Sequence, residues 1–520
     1  MIGLEQVPPA SEPILLRRVW RGAVTSDLGL LVLLALALVV VHTLTNGQYG
    51  FHRDELMELD DARHLAWGYV SYPPLTPFVG RVELELFGTS LVGFRLFAAL
   101  SQAVVLVLVG LAARELGGGR FAQFVAAVAV GIGGHSLVNG TYLQYTPFDY
   151  LWWVLVAYFV IRLLKSNDPR WWVAIGAAIG LGMMTKYTMV FLVAGVLGGV
   201  LLTPARRYLK SFWLWCGVTV ALLVFLPNLV WQTQHHFVYL EFLKAIHTRD
   251  VAMGRAGSFL LAQLWKCANP VTVPLWGAGL WYLFAVRADR RFQMLGWMYV
   301  IPLVAFVAAR GRDYYLAGAY PMLFAAGAVW GEQWVQSLIA RNAETVRSTT
   351  WWTLAVAGLC TAAVTLPLAP FNSAWWRLAD RVNGNFNYEI GYRELVEKVA
   401  KVRDTLPMEE RARLGILVAD VGEAGAVNLY GPPFSLPRAI SGMNSYWLRG
   451  FGNPPPETLI VVGMNRSFLD KSLASCQLVG QLTDGYAKVN SALNGYTDIF
   501  VCRRLHQPWP DFWKHFQSYG

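Results

Sequence analysis

Charged residues are scarce in this chain of 520 residues, and apolar residues take their place. Asp, Glu, Lys and Arg together make up 15% of the sequence, whereas 55% is hydrophobic, and the mean hydropathy is +0.40. Soluble globular proteins carry more charge and less apolar surface than this. The composition therefore predicts an integral membrane protein.

The chain also lacks a basic tract with interleaved aromatic residues, the usual mark of a nucleic-acid-binding surface. Its formal net charge of +10 comes instead with short Arg and Lys clusters between apolar runs. Such clusters are typical of cytoplasmic loops. We therefore expect no nucleic-acid partner and a cytoplasmic N-terminus. The clusters are Arg17, Arg18 and Arg21; Arg114 and Arg120; Arg162, Lys165 and Arg170; Arg206, Arg207 and Lys210; and Arg287, Arg290 and Arg291.

Cysteine is sparse, with five residues in the chain, and no Cys/His spacing indicates a zinc site. Cys216, Cys267 and Cys360 lie in or beside apolar runs, where a buried, unreactive side chain is the default. Cys476 and Cys502 lie in the C-terminal segment. An oxidising compartment would allow these two cysteines to form a disulfide. Sequence does not give the distance between their α-carbons, so the pairing stays open.

Long apolar runs are abundant. A bilayer core of about 30 Å requires about 20 apolar residues per helix. Runs of about this length, broken by charge or by Pro and Gly, predict about eleven transmembrane helices, with ends uncertain by several residues. The predicted spans are 27–45, 90–112, 120–137, 147–164, 171–185, 187–203, 212–230, 270–286, 293–309, 315–334 and 351–368.

The alternation of loops places the segments 46–89, 230–256 and 309–315 outside the cytoplasm. Residues 370–520 lie on the same side and contain no spanning run. Their β-rich segments GILVAD (415–420) and TLIVV (458–462), with a helical pattern at 391–405, predict an α/β domain.

The predicted fold class is thus a polytopic α-helical membrane protein of the inner membrane with a C-terminal soluble α/β domain. We expect a transmembrane catalytic domain at 1–369 and an extracytoplasmic domain at 370–520. The first apolar run is full length, so we expect it to stay as an anchor and not to be cleaved as a signal peptide.

One stretch directly after the first apolar run is rich in charge, GFHRDELMELDDARHLAWGY (50–69). An amphipathic helix in the headgroup layer accounts for it as well as a functional site does. Two observations favour a site: Asp54 and Glu55 are adjacent just beyond the membrane exit, and the following segment 69–81 holds three prolines, as in a shaped loop.

Further polar residues occur at the outer ends of other helices. Each alone has a structural explanation, such as a helix cap for Asp149 or an interfacial position for Lys186. Ionisable groups at membrane depth are costly, and several together indicate function. The set predicts a site for an anionic, lipid-borne substrate. Its members lie in the segments 133–153 with His135, Asn139, Gln144 and Asp149, 183–188 with Lys186, 231–242, and 309–321.

At this point the motifs carry a family resemblance. The chain resembles the membrane-embedded GT-C glycosyltransferases of family 39, the protein O-mannosyltransferase superfamily, and in particular a bacterial branch similar to the aminoarabinose transferase of lipid A. FHRDE is weak alone, but the ordered set is specific. The matching motifs are FHRDE, HLAWGYVSYPPLTP, TPFDYLWW, GLGMMTKYT, GRDYYLAGAYP, VGEAGAVNLYG and PRAISGMNSYWLRG.

The resemblance implies transfer of a sugar from a polyprenyl-phosphate carrier to an acceptor on the outer face, with inversion. Asp54 matches the expected base, with Glu55 as support or alternative. The residues support this chemistry, because an acceptor hydroxyl needs a base and a departing phosphate needs fixed positive charge. We expect the donor phosphate at Arg53, Lys186, Arg310, Arg312, Tyr314 and Tyr315.

Other assignments stay open. Asp149, a second outer acid, is expected to orient the acceptor, bind the sugar or hold a metal. No cofactor is certain, and if a divalent metal is bound, Asp54 and Asp149 are the expected ligands. His52, Tyr72 and His135 are further candidates for the substrate site. The GEAGA segment lacks a full dinucleotide fingerprint, so we expect it to cover the active site or to meet the acceptor.

The alternative is a secondary transporter or flippase of a lipid-linked or anionic substrate. A transporter would be expected to show paired halves and polar residues near the bilayer midplane, and neither is visible. A polymerase or ligase would concentrate its functional residues in a late outer loop. The identity of the sugar and that of the acceptor, whether lipid, glycan or protein, stay open, with envelope lipids and glycans preferred.

Overall fold

The computed structural model describes residues 26–286, 291–482, 490 and 496–520. The N-terminal Arg cluster at 17–21, and Arg287 and Arg290, lie outside the described residues. The helices as far as the last apolar run are α1 Asp27–Thr45, α2 Arg53–Arg63, α3 Leu75–Phe87, α4 Leu96–Glu115, α5 Arg120–Gly131, α6 Gly134–Asn139, α7 Tyr145–Ser166, α8 Trp171–Met183, α9 Met189–Leu202, α10 Phe212–Gln234, α11 Val238–Ala252, α12 Phe259–Ala262, α13 Val273–Trp281, α14 Gln293–Ala308, α15 Tyr320–Gln336 and α16 Ala340–Thr365.

Each of the eleven predicted apolar spans contains a helix. Among the described residues, four helical segments are long and apolar enough to cross a membrane, and a bent pair at 189–210 would be a fifth. Several other apolar helices are shorter, and breaks near residues 132 and 184 interrupt two of the runs. The exact number of spans stays a prediction. The four segments are Asp27–Thr45, Gly93–Glu115, Tyr145–Ser166 and Phe212–Gln234.

The helices pack around a large apolar core that contains Trp153 of α7 and Tyr320 of α15. Small residues allow neighbouring helices to approach closely. A Cβ on Gly176 of α8 would lie 2.0 Å from the carbonyl oxygen of Gly217 in α10. Close packing of this kind drives helix association in a bilayer, where burial of apolar surface contributes little.

The C-terminal region contains a sheet flanked by helices. Within the described residues the strand order is β2, β1, β3, β5, β4; β1 pairs in parallel with β2 and β3, and β5 runs antiparallel to β3 and β4. The segments predicted as strands at 415–420 and 458–462 are β1 and β3. The elements are α17 Ala374–Asn383, α18 Tyr392–Thr405, α19 Met408–Ala412, β1 Leu414–Val418, α20 Val421–Tyr430, β2 Ala439–Ile440, α21 Ser445–Leu448, β3 Thr458–Val462, α22 Arg466–Ser472, β4 Leu473–Gln481, β5 Asp498–Leu505 and α23 Trp509–Phe516.

A disulfide joins Cys476 of β4 to Cys502 of β5, which lie opposite each other in the sheet. This is the pair that the sequence left open. Both cysteines belong to the C-terminal region, so the bond does not link that region to the helical bundle.

The C-terminal region and the segment that follows α1 share one hydrophobic core. Leu56 of α2 is fully buried in the same cluster as Val427 of α20 and Ile416 of β1. A Cβ on Gly425 would lie 2.4 Å from the carbonyl oxygen of Leu56, so only glycine allows α20 to lie this close to α2. The GEAGA segment therefore packs on the acidic helix, and the predicted boundary near residue 369 does not separate two independent cores.

Candidate active site

The start of α2 fixes the position of Asp54. His52 is the N-cap residue, and its Nδ1 accepts a hydrogen bond from the backbone N–H of Asp54 at 3.1 Å. The Glu55 carboxylate accepts in return from the backbone N–H of His52 at 2.8 Å, which completes a capping box. Burial lowers the pKa of His52, which favours the neutral ring that can accept this bond. Asp54 is thereby held in the first helical turn.

Much of the charge in the acidic stretch stabilises the fold. Glu55 is fully buried and binds Arg95, with 2.6 Å between Oε2 and Nη2. Asp60 and Asp61 both bind Arg449 from the C-terminal region. Glu55 lies in the wall of neither cavity described below; its carboxylate caps the helix that carries Asp54, and a direct role as the base stays a prediction.

Two cavities meet at Asp54. The His135 cavity, of about 290 Å³, is lined by His52, His135, Asn139, Tyr314 and Asn383 among others. The Lys186 cavity, of about 120 Å³, is lined by Arg53, Glu58, Tyr72, Lys186, Arg249 and Tyr315 among others. Asp54, Gln144 and Arg312 belong to both walls. The Nε2 group of Gln144 donates to Asp54 Oδ2 at 2.6 Å, which orients the carboxylate between the two spaces.

Lys186 brings a buried positive charge to its cavity. It lies in the turn between α8 and α9, and its Nζ is 4.4, 4.6 and 4.2 Å from the ring centroids of Tyr145, Tyr314 and Tyr315. Three aromatic rings at these distances stabilise an ammonium group. Across the described residues Nζ has no hydrogen-bond partner. Its donors are therefore available to an anionic ligand.

Arg312 and Arg249 add charge on the opposite side of the Lys186 cavity. Arg312 Nε donates to Asp250 Oδ2 at 2.6 Å, and Arg249 Nε lies 3.7 Å from Asp250 Oδ1. The Nε of Arg249 is buried and makes no hydrogen bond within the described part of the chain. The sequence analysis placed 230–256 on the outer side but did not single out Arg249; the Arg-Asp pair at the end of α11 was the available signal.

Arg53 and Tyr72 line the Lys186 cavity, but both have protein partners. Arg53 binds both carboxylate oxygens of Asp420, at 2.9 Å from Nε and 2.8 Å from Nη2. The hydroxyl group of Tyr72 donates to Asp61. Arg53 thus links α2 to the first residues of α20, and the structure gives it a docking contact that the sequence did not predict.

The His135 cavity is larger and holds mixed polar groups. The ring of His135 packs against those of Tyr150 and Tyr314, at centroid distances of 5.0 and 6.4 Å. Lys266, at the rim, binds Asp313 at 2.6 Å. Amide side chains from the end of α17 complete the wall. Such a lining suits a ligand with several hydroxyl groups.

Besides Glu55, two predicted residues lie outside both walls. Asp149 is buried in the first turns of α7, and Arg310 is exposed with a left-handed backbone at φ 49°. Neither lines a cavity that contains Asp54. Within the described ranges no group of three or more His, Cys, Asp or Glu side chains is arranged to hold a metal ion. Asp54 and Asp149 therefore lack a third ligand of these types, and metal dependence stays a prediction.

Comparison with known proteins finds similar sequences over part of the chain. The family model for dolichyl-phosphate-mannose-protein mannosyltransferases matches residues 71–231. The chain is 29% identical over 304 residues to the lipid A galacturonosyltransferase RgtD of Rhizobium johnstonii, covering 55% of this chain and 61% of that protein. It is 24% identical over 259 residues to an uncharacterised protein of Aquifex aeolicus, covering 48% of this chain and 51% of the other. The matches thus span about half to three-fifths of these relatives.

The fold is similar over nearly the whole chain to that of ArnT from Cupriavidus metallidurans. The crystal structure with undecaprenyl phosphate has a TM-score of 0.53 at 17% identity and covers 91% of this chain and 97% of that one. The apo structure has a TM-score of 0.52 at 16% identity and covers 93% and 98%. The resemblance inferred from the sequence is thereby confirmed: in family model, in sequence and in fold the chain is similar to GT-C glycosyltransferases related to ArnT.

Proposed function

We propose that the protein is a membrane glycosyltransferase that moves a sugar from a polyprenyl-phosphate carrier to an acceptor on the extracytoplasmic face, with inversion at the anomeric carbon. One observation carries the proposal. The ammonium group of Lys186 is buried without a hydrogen-bond partner in the described structure, in a cavity that also contains Asp54. A cation of this kind at membrane depth indicates an anionic ligand.

The carrier phosphate would bind in the Lys186 cavity. Lys186, Arg249 and Arg312 surround this space with positive charge. Because the departing group is a phosphate, it needs no strong acid, and fixed cations stabilise the charge that grows on its oxygen. Asp250 accepts from Nε of Arg312 and the Tyr314 hydroxyl accepts from Nη1 at 3.5 Å, so the Nη2 group of the planar guanidinium is the donor that would bind a phosphate oxygen.

The acceptor would approach from the His135 cavity. Its hydroxyl oxygen forms the bond to the anomeric carbon, Asp54 takes the hydroxyl proton, and the bond between that carbon and the phosphate oxygen breaks. The bonding electrons pass to the phosphate, which leaves as polyprenyl phosphate. Asp54 is suited to this role because it lies in the walls of both cavities, between donor and acceptor.

The relatives suggest the class of acceptor. RgtD is named for galacturonosyl transfer to lipid A, and one ArnT structure holds undecaprenyl phosphate. The polar His135 cavity has room for a sugar-like headgroup. An envelope lipid or glycan as acceptor, and an inner-membrane location with the C-terminal region outside, fit these observations.

A transfer assay tests the proposal. Purified protein in nanodiscs would be offered radiolabelled polyprenyl-phosphate sugars together with envelope lipid extract, beside Asp54→Asn and the control Asp511→Asn. Asp511 is exposed on α23 and lies in neither cavity. We expect one donor to be consumed by the parent and the control, with turnover at least about 10³-fold lower in Asp54→Asn.

Equal turnover in Asp54→Asn would remove Asp54 as the base. If every donor is bound but none is consumed, and labelled carrier instead crosses the bilayer of proteoliposomes, the protein is a flippase and the proposal is wrong.

A further inference from the structure

Glu58 is the most unusual carboxyl group near the site. It follows Asp54 by four residues on α2, so the two side chains lie on the same side of the helix, about 6 Å apart along its axis. Glu58 lines the Lys186 cavity, is fully buried, and neither of its carboxyl oxygens has a hydrogen-bond partner in the described structure. A buried polar group without a partner costs free energy, so its presence requires an explanation.

The donors close to Glu58 are committed elsewhere. Tyr72 donates its hydroxyl hydrogen to Asp61, Arg449 binds Asp60 and Asp61, and Arg53 binds Asp420. Burial raises the pKa of Glu58 well above its ordinary value, and the nearby carboxylates of Asp61 and Asp54 raise it further. The Tyr72 hydroxyl interacts with Glu58 and opposes this shift, but its own hydrogen goes to Asp61, so a neutral Glu58 has a hydrogen that it can donate to a ligand in the cavity.

The position of Glu58 identifies its ligand. If the phosphate binds at Lys186 and the anomeric carbon lies at Asp54, the sugar ring occupies the space beside the first turns of α2. Glu58 is then the carboxyl group that lies one helical turn beyond Asp54 on α2, in the wall of the Lys186 cavity. Building on the proposed function, we propose that Glu58 binds a ring oxygen substituent of the donor sugar, and that this subsite selects a neutral or acidic sugar over an amino sugar.

The charge of the cavity supports this selectivity. Arg53, Lys186, Arg249 and Arg312 line the same space; Asp420 pairs with Arg53, and Asp250 pairs with Arg249 and Arg312, so the ammonium of Lys186 is the cation of this set that has no carboxylate partner in the described structure. A protonated amino group on the sugar would face this unpaired positive charge. A hydroxyl or carboxylate oxygen, in contrast, accepts the hydrogen of Glu58 without opposing the surrounding field.

Two variants separate the roles of shape, hydrogen bonding and charge. Glu58→Gln keeps the size and an N–H donor but cannot ionise, whereas Glu58→Leu keeps the volume and loses the hydrogen bond. The measurement is the affinity, in nanodiscs, for undecaprenyl phosphate carrying galacturonic acid and for the same carrier with an amino sugar, each relative to the affinity for bare undecaprenyl phosphate. Transfer kinetics with the same donors provide a second readout.

We expect both variants to bind bare undecaprenyl phosphate within about twofold of the parent. Glu58→Gln should keep the sugar-dependent gain in affinity and kcat/KM within about threefold, and Glu58→Leu should lose about 10- to 100-fold in each, as for one buried polar contact. If Glu58→Leu loses as much affinity, relative to the parent, for bare undecaprenyl phosphate as for the sugar-loaded carrier, Glu58 has a structural role and the proposal is wrong.

A second outcome would also overturn it. If Glu58→Gln loses as much as Glu58→Leu, the ionised carboxylate is required, and the subsite binds an amine. The affinity ratio does not depend on turnover. It therefore tests the role of Glu58 in sugar binding even if no acceptor is consumed. Absence of transfer by the parent would contradict the proposed function alone.

Discussion

Lys186 shows how a single residue can mark a site. Its ammonium group is surrounded by the rings of Tyr145, Tyr314 and Tyr315, which stabilise the charge but give it no hydrogen bond in the described structure. A phosphate in the cavity would supply the missing acceptors. The cage thus stabilises the cation before the donor binds and leaves its N–H groups free for the donor.

Replacing Lys186 with Met keeps the length of the side chain and removes the charge. We expect the affinity for undecaprenyl phosphate to fall about 10- to 100-fold, which corresponds to the loss of one charged hydrogen bond of about 1.5–3 kcal/mol. Titration in nanodiscs measures this affinity. Lys210→Met, at an exposed position in a different loop, is the control and should bind as the parent does. Unchanged binding in Lys186→Met would remove Lys186 from the phosphate site.

At the residue scale the sequence indicated part of the site. The position of Asp54 just beyond a membrane exit, and a lysine at the end of an apolar run, singled out two residues of the cavity walls. The sequence did not separate Asp54 from Glu55, because the difference lies in Arg95, which is 40 residues from Glu55 and binds Glu55 but not Asp54. Nor did the sequence distinguish Arg312 from Arg310. Because Arg310 has a left-handed backbone, the two side chains point in different directions.

At the element scale, α2 joins the active site to the C-terminal region. Arg53 follows the N-cap of α2, and Asp420 is the N-cap of α20, so their ion pair joins the starts of two helices. The side chains are 20% and 10% exposed, and therefore solvent screens the pair less than it screens a surface pair. The contact stabilises the position of Asp54, the next residue along α2.

A double-mutant cycle on Arg53→Met and Asp420→Asn measures this contact. We expect a coupling free energy of about 1–3 kcal/mol, read from the free energy of unfolding in detergent, because each single variant leaves a half-buried charge without its partner. The matched control is the exposed pair Arg466–Asp470, at 2.8 Å, whose coupling should be below about 0.5 kcal/mol. Additive effects of Arg53 and Asp420 would show that the pair does not hold α2 in place.

A second link between elements is sensitive to pH. Arg95 is fully buried and binds both Glu55 and Glu389, so one cation faces two carboxyl groups. Burial raises the pKa of Glu389 to about 8, with Arg95 opposing the shift and Glu55 adding to it. In the unfolded chain the carboxyl group of Glu389 has its ordinary pKa. The folded protein therefore holds one proton more than the unfolded chain between about pH 4.5 and pH 8.

Stability should consequently fall as pH rises through that window and level off above about pH 8. Glu389 contributes a slope of at most about 1.4 kcal/mol per pH unit. Thermal unfolding between pH 5 and pH 8 should show a shallower dependence in Glu389→Gln than in the parent. Parallel curves for the two proteins would contradict the shift at Glu389. The exposed Glu397→Gln, with its side chain 45% exposed, is the control and should follow the parent.

Elements were easier to predict than their contacts. The period of apolar residues located a helix in every predicted span, and the β-rich segments located β1 and β3, because these patterns are local. The docking of α20 on α2 depends on Gly425 meeting the Leu56 carbonyl across more than 360 residues of sequence. No local pattern carries that information; from the GEAGA motif we expected only that the segment covers the active site or meets the acceptor.

For the whole molecule, the structure makes the C-terminal region part of the site and not an appendage. Buried side chains from 51–72 and from 392–501 belong to one cluster, which includes Leu56, Val399 and Val427. Charged contacts add to it, since Asp60 and Asp61 bind Arg449. The carboxylate of Asp54 is thus positioned by groups that come from both ends of the chain.

Cutting the chain between these parts tests the shared core. A protease recognition sequence inserted at the exposed Pro370, between α16 and α17, would separate 1–369 from the remainder. The disulfide Cys476–Cys502 lies within the second fragment and cannot hold the two together. We expect the fragments to elute as one species from size-exclusion chromatography in mild detergent, because the buried contacts of Leu56 and Val427 persist after cleavage. In a matched variant, Gly425→Val, the added side chain meets the Leu56 carbonyl, and the fragments should separate. If the fragments of the parent, which keeps Gly425, also separate, then 1–369 and 370–520 are independent domains that divide at the boundary predicted from the sequence.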